Sequence, residues 1–170
     1  VLWEPAAGVE PPVVPPEVFA APVAQLSRHA SVIADRFFDT PSATLRVSGI
    51  TGTNGKTTTA WLLAQALTRA GERSAYLGTL GVGIPAEGVV AGEYTTADAV
   101  TVQRQLSQMQ QLGAPSAAME VSSHALDQAR VDGVRFRVAA FTNLTRDHLD
   151  YHGSMQAYWR TTGASRAAGS

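Results

Sequence analysis

Hydrophobic residues along the chain follow two periods, and the change from one to the other predicts helices and strands in turn. The predicted elements are, in order, helix 23–38, strand 45–50, helix 56–70, strand 74–80, helix 98–112, strand 116–121 and strand 137–142. Strands that alternate with helices indicate a parallel sheet with helices on both faces. We therefore predict an α/β fold with a mostly parallel sheet and flanking helices, in which strand 137–142 is buried.

The segments between these elements have weaker patterns. Residues 1–17 are rich in proline, which predicts an extended connector with a short strand over 1–3. Residues 82–92 are rich in glycine and predict a loop or a hairpin, and 124–129 predict a short helical turn. Residues 161–170 contain nothing more apolar than alanine, so we expect them to be disordered.

Composition excludes several classes of protein. Thirteen basic and fourteen acidic residues leave a net charge of −1, which argues against binding to duplex nucleic acid. No apolar run approaches the roughly 18 residues that span a bilayer, and no secretory signal pattern opens the chain. With no cysteine, disulfides and thiolate metal sites are excluded. We expect a cytoplasmic monomer without nucleic-acid or membrane partners.

The chain contains a single lysine, Lys56, beside twelve arginines. Strand 45–50 runs into the segment TGTNGKTT (51–58), and a helix follows, which is the context of a phosphate-binding P-loop. Its glycines allow backbone N–H groups to face phosphate oxygens, Lys56 can reach the β- and γ-phosphates, and the Thr57 hydroxyl can ligate Mg²⁺. The spacing departs from G-x-x-x-x-G-K-[ST], because Ile50 occupies the first glycine position. A helix start without a ligand is the structural alternative.

Polar side chains follow two further strands at the same predicted edge of the sheet. Glu120 ends strand 116–121, where a carboxylate can hold Mg²⁺ beside a nucleotide, although a helix cap or an ion pair is the alternative. Asn143, Asp147, His148 and Asp150 follow strand 137–142. A neutral histidine can ligate a metal, and the aspartates can orient their neighbours.

Four segments in this order resemble the Mur ligases, and among them the MurE type, which adds the third amino acid of the peptidoglycan stem peptide. The segments are TGTNGKTT (51–58), YTTAD (94–98), MEVSSHAL (119–126) and TNLTRDHLDYHG (142–153). The resemblance implies that residues 1–44 are the end of an N-terminal UDP-substrate domain with a linker helix. It also implies that 45–160 are the front part of a P-loop-type ATP-binding domain, and that 161–170 lie outside the family pattern.

The resemblance also implies roles for individual residues. Lys56, Glu120 and His148 would be catalytic, and Thr57, Glu120 and His148 would hold Mg²⁺. The residues implied to bind ATP are Gly52, Thr53, Asn54, Gly55, Lys56, Thr57, Thr58 and Asn143. Those implied to bind the substrate, UDP-MurNAc-L-Ala-D-Glu, are Thr95, Thr96, Ser122, Gln128 and Arg130. The second substrate would be an amino acid, meso-diaminopimelate or L-lysine.

One departure from the family pattern concerns a second lysine. Mur ligases carry a carbamylated lysine shortly after the DHLDYHG segment, but the corresponding position here is Thr162, and no lysine follows Lys56. We therefore expect the chain by itself to be inactive as a ligase. The alternatives are a folylpolyglutamate- or cyanophycin-type ligase, or an ATP-binding module without ligase activity.

Overall fold

A computed structural model of the chain describes residues 1–145, 153–154, 156–157 and 160–161. The helices of this part are α1 (Leu26–Phe37), α2 (Lys56–Arg69), α3 (Ala99–Gln111) and α4 (Ser123–Asp127), with a 3₁₀ turn over Pro41–Ala43. The strands are β1 (Leu2–Trp3), β2 (Ala21–Pro22), β3 (Arg46–Thr51), β4 (Ser74–Gly78), β5 (Gly81–Ile84), β6 (Gly88–Val90), β7 (Ser116–Glu120) and β8 (Phe136–Phe141).

The main sheet has six strands in the order β6-β5-β4-β7-β3-β8. Strands β4, β7, β3 and β8 are parallel, whereas β5 and β6 return antiparallel as a hairpin. The glycine-rich segment predicted as a loop or a hairpin is therefore a hairpin. Strands β1 and β2 form a separate parallel pair near the N-terminus.

Two hydrophobic clusters cover the two faces of the sheet, which confirms the prediction of helices on both sides. On one face, Val102 and Leu106 of α3 pack with Val47 of β3 and Met119 of β7. On the other face, Ala60 and Ala64 of α2 pack with residues of β3, β4 and β7. The two buried alanines of α2 let the helix approach the sheet closely.

The prediction that the last strand is buried was wrong. Strand β8 pairs with β3 on one side and forms the edge of the sheet described here. Val138 is 55% exposed and Phe141 is 40% exposed. An apolar run reveals a strand but not the number of its neighbours, and burial depends on those neighbours.

The strand register brings four carboxyl ends to one edge of the sheet. Ile50 lies opposite Glu120, Thr51 lies opposite Phe141, and Leu77 lies opposite Met119. The loops that follow β3, β4, β7 and β8 therefore meet there, at the edge where ligands bind in open α/β sheets. Among the residues that the structure describes, no helix is long and apolar enough to cross a membrane.

Candidate functional site

The predicted phosphate-binding segment, residues 51–58, is called the phosphate loop, and it turns sharply between β3 and α2. Gly52 and Gly55 have positive φ values of 126° and 83°, a conformation that favours glycine. A Cβ at Gly52 would lie 2.3 Å from the Thr142 hydroxyl oxygen, so the loop also needs glycine for space. Among the described residues, no side-chain hydrogen bond caps the N-terminus of α2 at Gly55. The first N–H groups of a helix lack partners within the helix, so this end can receive an anion.

Lys56 folds back over the loop that precedes it. Its Nζ donates to the carbonyl oxygens of Gly52 at 2.7 Å and of Thr53 at 2.9 Å. The ammonium group therefore lies against the loop that a phosphate would enter. Thr58, also predicted to bind ATP, lies exposed in the first turn of α2.

The segment that follows β8 holds the phosphate loop in place. Asn143 accepts a hydrogen bond from the Asn54 N–H at its Oδ1 (3.1 Å) and donates from its Nδ2 to the Asn54 carbonyl (3.0 Å). The Thr142 hydroxyl donates to the same carbonyl at 2.7 Å. The Thr53 hydroxyl accepts from the Thr145 N–H at 3.0 Å. Asn143 thus lies beside the predicted nucleotide loop, where its amide binds the backbone of Asn54.

Glu120 is the central carboxylate of this edge and is fully buried. Its Oε1 accepts from the Tyr76 hydroxyl at 2.5 Å and from the Thr79 N–H at 2.9 Å. Its Oε2 accepts from the Thr57 hydroxyl at 2.8 Å and from the Thr79 hydroxyl at 3.3 Å. These donors offset the cost of burying a carboxylate. They also place Oε2 next to the phosphate loop.

Tyr76 supports this carboxylate from inside the sheet. Burial, together with the hydrogen bond to Glu120, raises the pKa of the Tyr76 hydroxyl well above its usual range, so that it stays a neutral donor. Its ring packs edge-to-face with Trp61 at 5.1 Å between centroids. Gly78 leaves the space, because a Cβ there would lie 2.2 Å from Glu120 Oε1.

Thr57 and Glu120 fit the predicted Mg²⁺ site in their chemistry. A buried carboxylate oxygen and a threonine hydroxyl at 2.8 Å offer the hard oxygen ligands that Mg²⁺ prefers. Within the described residues, no cluster of three or more histidine, aspartate or glutamate side chains occurs. The third predicted ligand, His148, lies outside the described residues, as do Asp147 and Asp150.

The two threonines predicted to bind substrate differ in how their hydroxyls are used. Thr95 contacts the Thr79 hydroxyl at 3.0 Å and lines a cleft of about 320 Å³ that Glu120 also lines. Thr96 is buried, and its hydroxyl donates to the Glu120 carbonyl and accepts from the Ser122 N–H, both at 3.0 Å. Thr96 therefore joins its loop to the end of β7. Substrate binding by either residue stays a prediction.

The remaining predicted substrate residues lie on and after α4. Ser122 is the N-cap of this helix and accepts from the Ala125 N–H at 3.2 Å. Arg130 donates from Nε to Gln128 Oε1 at 2.9 Å and from a terminal nitrogen to the Thr96 carbonyl at 3.1 Å. Gln128 and Arg130 line a second cavity of about 480 Å³, between α1, α3 and α4. The structure therefore connects Arg130 to the loop of Thr95 and Thr96.

Four residues of this edge were not predicted from the sequence: Tyr76, Thr79, Thr142 and Thr145. Thr79 follows the carboxyl end of β4, so the rule that places ligands at this edge would have found it. Thr142 and Thr145 lie within the TNLTRDHLDYHG segment, but their contacts with a loop about 90 residues earlier need the fold. A tyrosine in an apolar strand is usually a core residue, so nothing in the sequence indicated that the Tyr76 hydroxyl contacts Glu120.

Comparison with known proteins gives consistent matches. Residues 50–164 match the Mur ligase middle domain. The chain is 50% identical over 167 residues to a protein of Xanthomonas campestris pv. campestris (strain 8004) named UDP-N-acetylmuramoyl-L-alanyl-D-glutamate–2,6-diaminopimelate ligase. That match covers 98% of this chain and 32% of the relative, so the chain spans about a third of its length.

Solved structures agree with this match. A structure of a ligase with the same name superposes with a TM-score of 0.74 at 34% identity, over 84% of this chain and 29% of that one. FolC of E. coli, solved with DHPP and ADP, superposes with a TM-score of 0.59 at 20% identity, over 79% of this chain and 37% of that one. The second likeness shows a shared fold.

Proposed function

This chain belongs to the Mur ligase family, and we propose that it acts as part of an ATP-dependent ligase that adds the third residue of the peptidoglycan stem peptide. One contact carries the proposal: the Thr57 hydroxyl of the phosphate loop donates to the buried Glu120 carboxylate at 2.8 Å. This contact supports the proposal because it brings the proposed phosphate-binding backbone and the proposed metal-binding carboxylate to one edge of the sheet, as phosphoryl transfer requires.

The proposed acceptor is UDP-MurNAc-L-Ala-D-Glu, and the second substrate is an amino acid. The names of the relatives support 2,6-diaminopimelate over L-lysine for that amino acid. The cleft lined by Thr95 and Glu120 is the proposed place of the acceptor carboxylate, because Glu120 also accepts a hydrogen bond from Thr57 of the phosphate loop. A cytoplasmic location and a monomeric state remain predictions.

In the proposed reaction, the acceptor carboxylate attacks the γ-phosphorus of ATP, ADP leaves, and an acyl phosphate forms. The amine of the amino acid then displaces phosphate, so that an amide forms and a proton is released. Bound Mg²⁺ would offset negative charge on the phosphate oxygens. The chain's own contribution is positioning: Lys56 exchanges its carbonyl partners for phosphate oxygens, and the first N–H groups of α2 face the same phosphate.

Nucleotide binding by the chain tests the first part of this proposal. Binding of ATP should depend on Mg²⁺, and Lys56→Ala should weaken it by about tenfold or more, because a charge-assisted hydrogen bond to phosphate is lost. Arg69→Ala is the matched control, since it removes one positive charge from the last turn of the same helix. Equal affinity of the Lys56→Ala and Arg69→Ala variants would refute the phosphate-loop assignment.

Amide formation tests the second part and needs a longer protein that contains this chain. Release of ADP should require both UDP-MurNAc-L-Ala-D-Glu and diaminopimelate, and the product should be the corresponding tripeptide. Nucleotide binding without product in that protein would favour an ATP-binding module instead. We expect the chain alone to bind nucleotide and to form no amide, because it covers only 32% of the length of the relative that it matches.

A further inference from the structure

Thr79 lies where the phosphate loop, the buried carboxylate and the proposed substrate loop meet. It directly follows β4, at the carboxyl edge of the sheet, and its side chain is exposed to solvent. Its position among three functional segments raises the question of what its hydroxyl does there.

Thr79 contacts both oxygens of Glu120. Its N–H donates to Oε1 at 2.9 Å, and its hydroxyl donates to Oε2 at 3.3 Å. Any residue except proline can supply the first contact from its backbone, but the second needs a side-chain hydroxyl. That hydroxyl therefore acts on the carboxylate oxygen that faces Thr57.

The same hydroxyl also reaches the two loops. The oxygen of Thr79 lies 3.4 Å from the Thr57 hydroxyl and 3.0 Å from the Thr95 hydroxyl. A hydroxyl can donate one hydrogen bond and accept two, so Thr79 can donate to Glu120 while it accepts from Thr95. These contacts make one path of oxygen atoms from the phosphate loop to the 320 Å³ cleft that Thr95 lines.

We propose that Thr79 is a positioning residue that joins the Mg²⁺-binding edge to the substrate loop through its hydroxyl. The inference rests on the proposed function and adds a residue to it. With Mg²⁺ bound by Glu120 Oε2 and Thr57, the hydroxyl of Thr79 would hold the carboxylate in position. Its contact with the Thr95 hydroxyl would then order the substrate loop. In this role Thr79 acts through its contacts with Glu120 and Thr95.

The test compares Thr79→Val with Thr79→Ser in the 170-residue chain. Valine keeps the shape and the backbone N–H but removes the hydroxyl, whereas serine restores it. Binding of a non-hydrolysable ATP analogue is titrated with Mg²⁺. Thr79→Val should raise the Mg²⁺ concentration for half-maximal binding by about tenfold, the effect of one hydrogen bond to a charged group, and Thr79→Ser by less than about twofold. Affinity without Mg²⁺ should be the same in all three proteins.

Hydrogen exchange tests the link to the substrate loop separately. Binding of Mg²⁺ and the analogue should slow amide exchange over residues 94–97 in the unchanged chain and in Thr79→Ser, but not in Thr79→Val. Circular dichroism verifies folding, and if Thr79→Val is unfolded, Thr79→Ala against Thr79→Ser makes the same comparison.

Three results would overturn the inference. The first is the same Mg²⁺ dependence in Thr79→Val and the unchanged chain, and the second is an equal loss in Thr79→Ser. The third is loop protection that survives in Thr79→Val. If the unchanged chain binds no analogue at any Mg²⁺ concentration, the proposed function fails as well, which separates that failure from a failure of the inference alone.

Discussion

Replacing Gly78 with alanine tests how tightly the Glu120 carboxylate is held. The added Cβ would lie 2.2 Å from Glu120 Oε1 and 2.6 Å from the Tyr76 hydroxyl oxygen. The backbone of Gly78 is not in the left-handed region, so alanine meets no conformational penalty there. The effect of the substitution therefore comes from the clash alone.

The clash should move the carboxylate by about 1 Å, because ordinary contact needs roughly 3.5 Å. Two bonds to Oε1, from Tyr76 at 2.5 Å and from the Thr79 N–H at 2.9 Å, are then stretched beyond useful length. Each hydrogen bond to a charged group contributes about 1.5–3 kcal/mol. We expect Gly78→Ala to lower the free energy of unfolding by about 3–6 kcal/mol, the sum for the two bonds, and to weaken Mg²⁺-dependent ATP binding.

Urea denaturation followed by circular dichroism measures the stability, and titration with a fluorescent ATP analogue measures the binding. Gly92→Ala is the matched control: its φ is also outside the left-handed region, and its Cβ would meet only Gly81 Cα at 3.9 Å. If Gly78→Ala unfolds at the same urea concentration as Gly92→Ala and binds nucleotide equally well, the carboxylate is not held as described.

Three further predictions concern the phosphate loop and two aspartates. Thr142→Val removes the 2.7 Å hydrogen bond to the Asn54 carbonyl and should weaken ATP binding by about fivefold, measured by titration. Asp98→Ala removes the N-cap of α3 and should lower the free energy of unfolding by about 1 kcal/mol at pH 7, measured by urea denaturation. Asp35→Asn should raise the melting temperature at pH 7. Burial raises the pKa of Asp35 by more than the charges of Arg135 and Arg36 lower it, so the charged form is disfavoured.

Each of these predictions has a control variant or a characteristic pH dependence. For Thr142→Val, the control is Thr68→Val, which removes a 2.9 Å bond from a hydroxyl to a carbonyl within α2; equal ATP affinity of the two variants contradicts the prediction. For Asp98, burial by itself would raise the pKa, but hydrogen bonds from Thr101 and Val100 outweigh burial, so the pKa is lowered. Its contribution is therefore present above the ordinary value of 3.8 and is lost as pH falls through the lower folded value. Asp98→Asn keeps the cap and should lack this pH dependence.

For Asp35 the pKa is raised rather than lowered, so its contribution to stability depends on pH in the opposite direction. A carboxyl whose folded pKa is raised contributes stability at low pH and loses it as pH rises through the folded pKa. The advantage of Asp35→Asn should therefore be largest at pH 7 and vanish near pH 3, at which Asp35 is neutral in both states. A melting-temperature difference that grows on acidification would contradict this assignment.

The sequence predicts those parts of the site that depend on neighbouring residues in the chain. Strand β3, the glycine turn and α2 lie within one stretch, so their order alone indicated a phosphate loop. Glu120 was predictable because the rule about the carboxyl edge needs only the strand that it ends. The start of α3 was also predicted closely, because Asp98 accepts from the Val100 and Thr101 N–H groups as an N-cap should.

The parts that could not be predicted depend on contacts between distant segments. The exposure of β8 follows from its place at the edge of the sheet, which its own apolar residues do not encode. The Tyr76 hydroxyl finds Glu120 only because β4 pairs with β7, and an apolar strand with one tyrosine gives no sign of that partner. The roles of Thr79 and Thr145 have the same origin.

The hydrogen bonds that Thr142, Asn143 and Thr145 make with the phosphate loop also set an order of events during protein synthesis. Thr53 and Asn54 are held by residues that lie 88 to 92 positions later in the chain. At about 5–20 residues per second, a ribosome needs roughly 5–20 s to make that interval. During that time the phosphate loop lacks the hydrogen bonds that these later residues supply. Released chains that end before Thr142 should therefore fail to retain a nucleotide that chains extending past Thr145 retain.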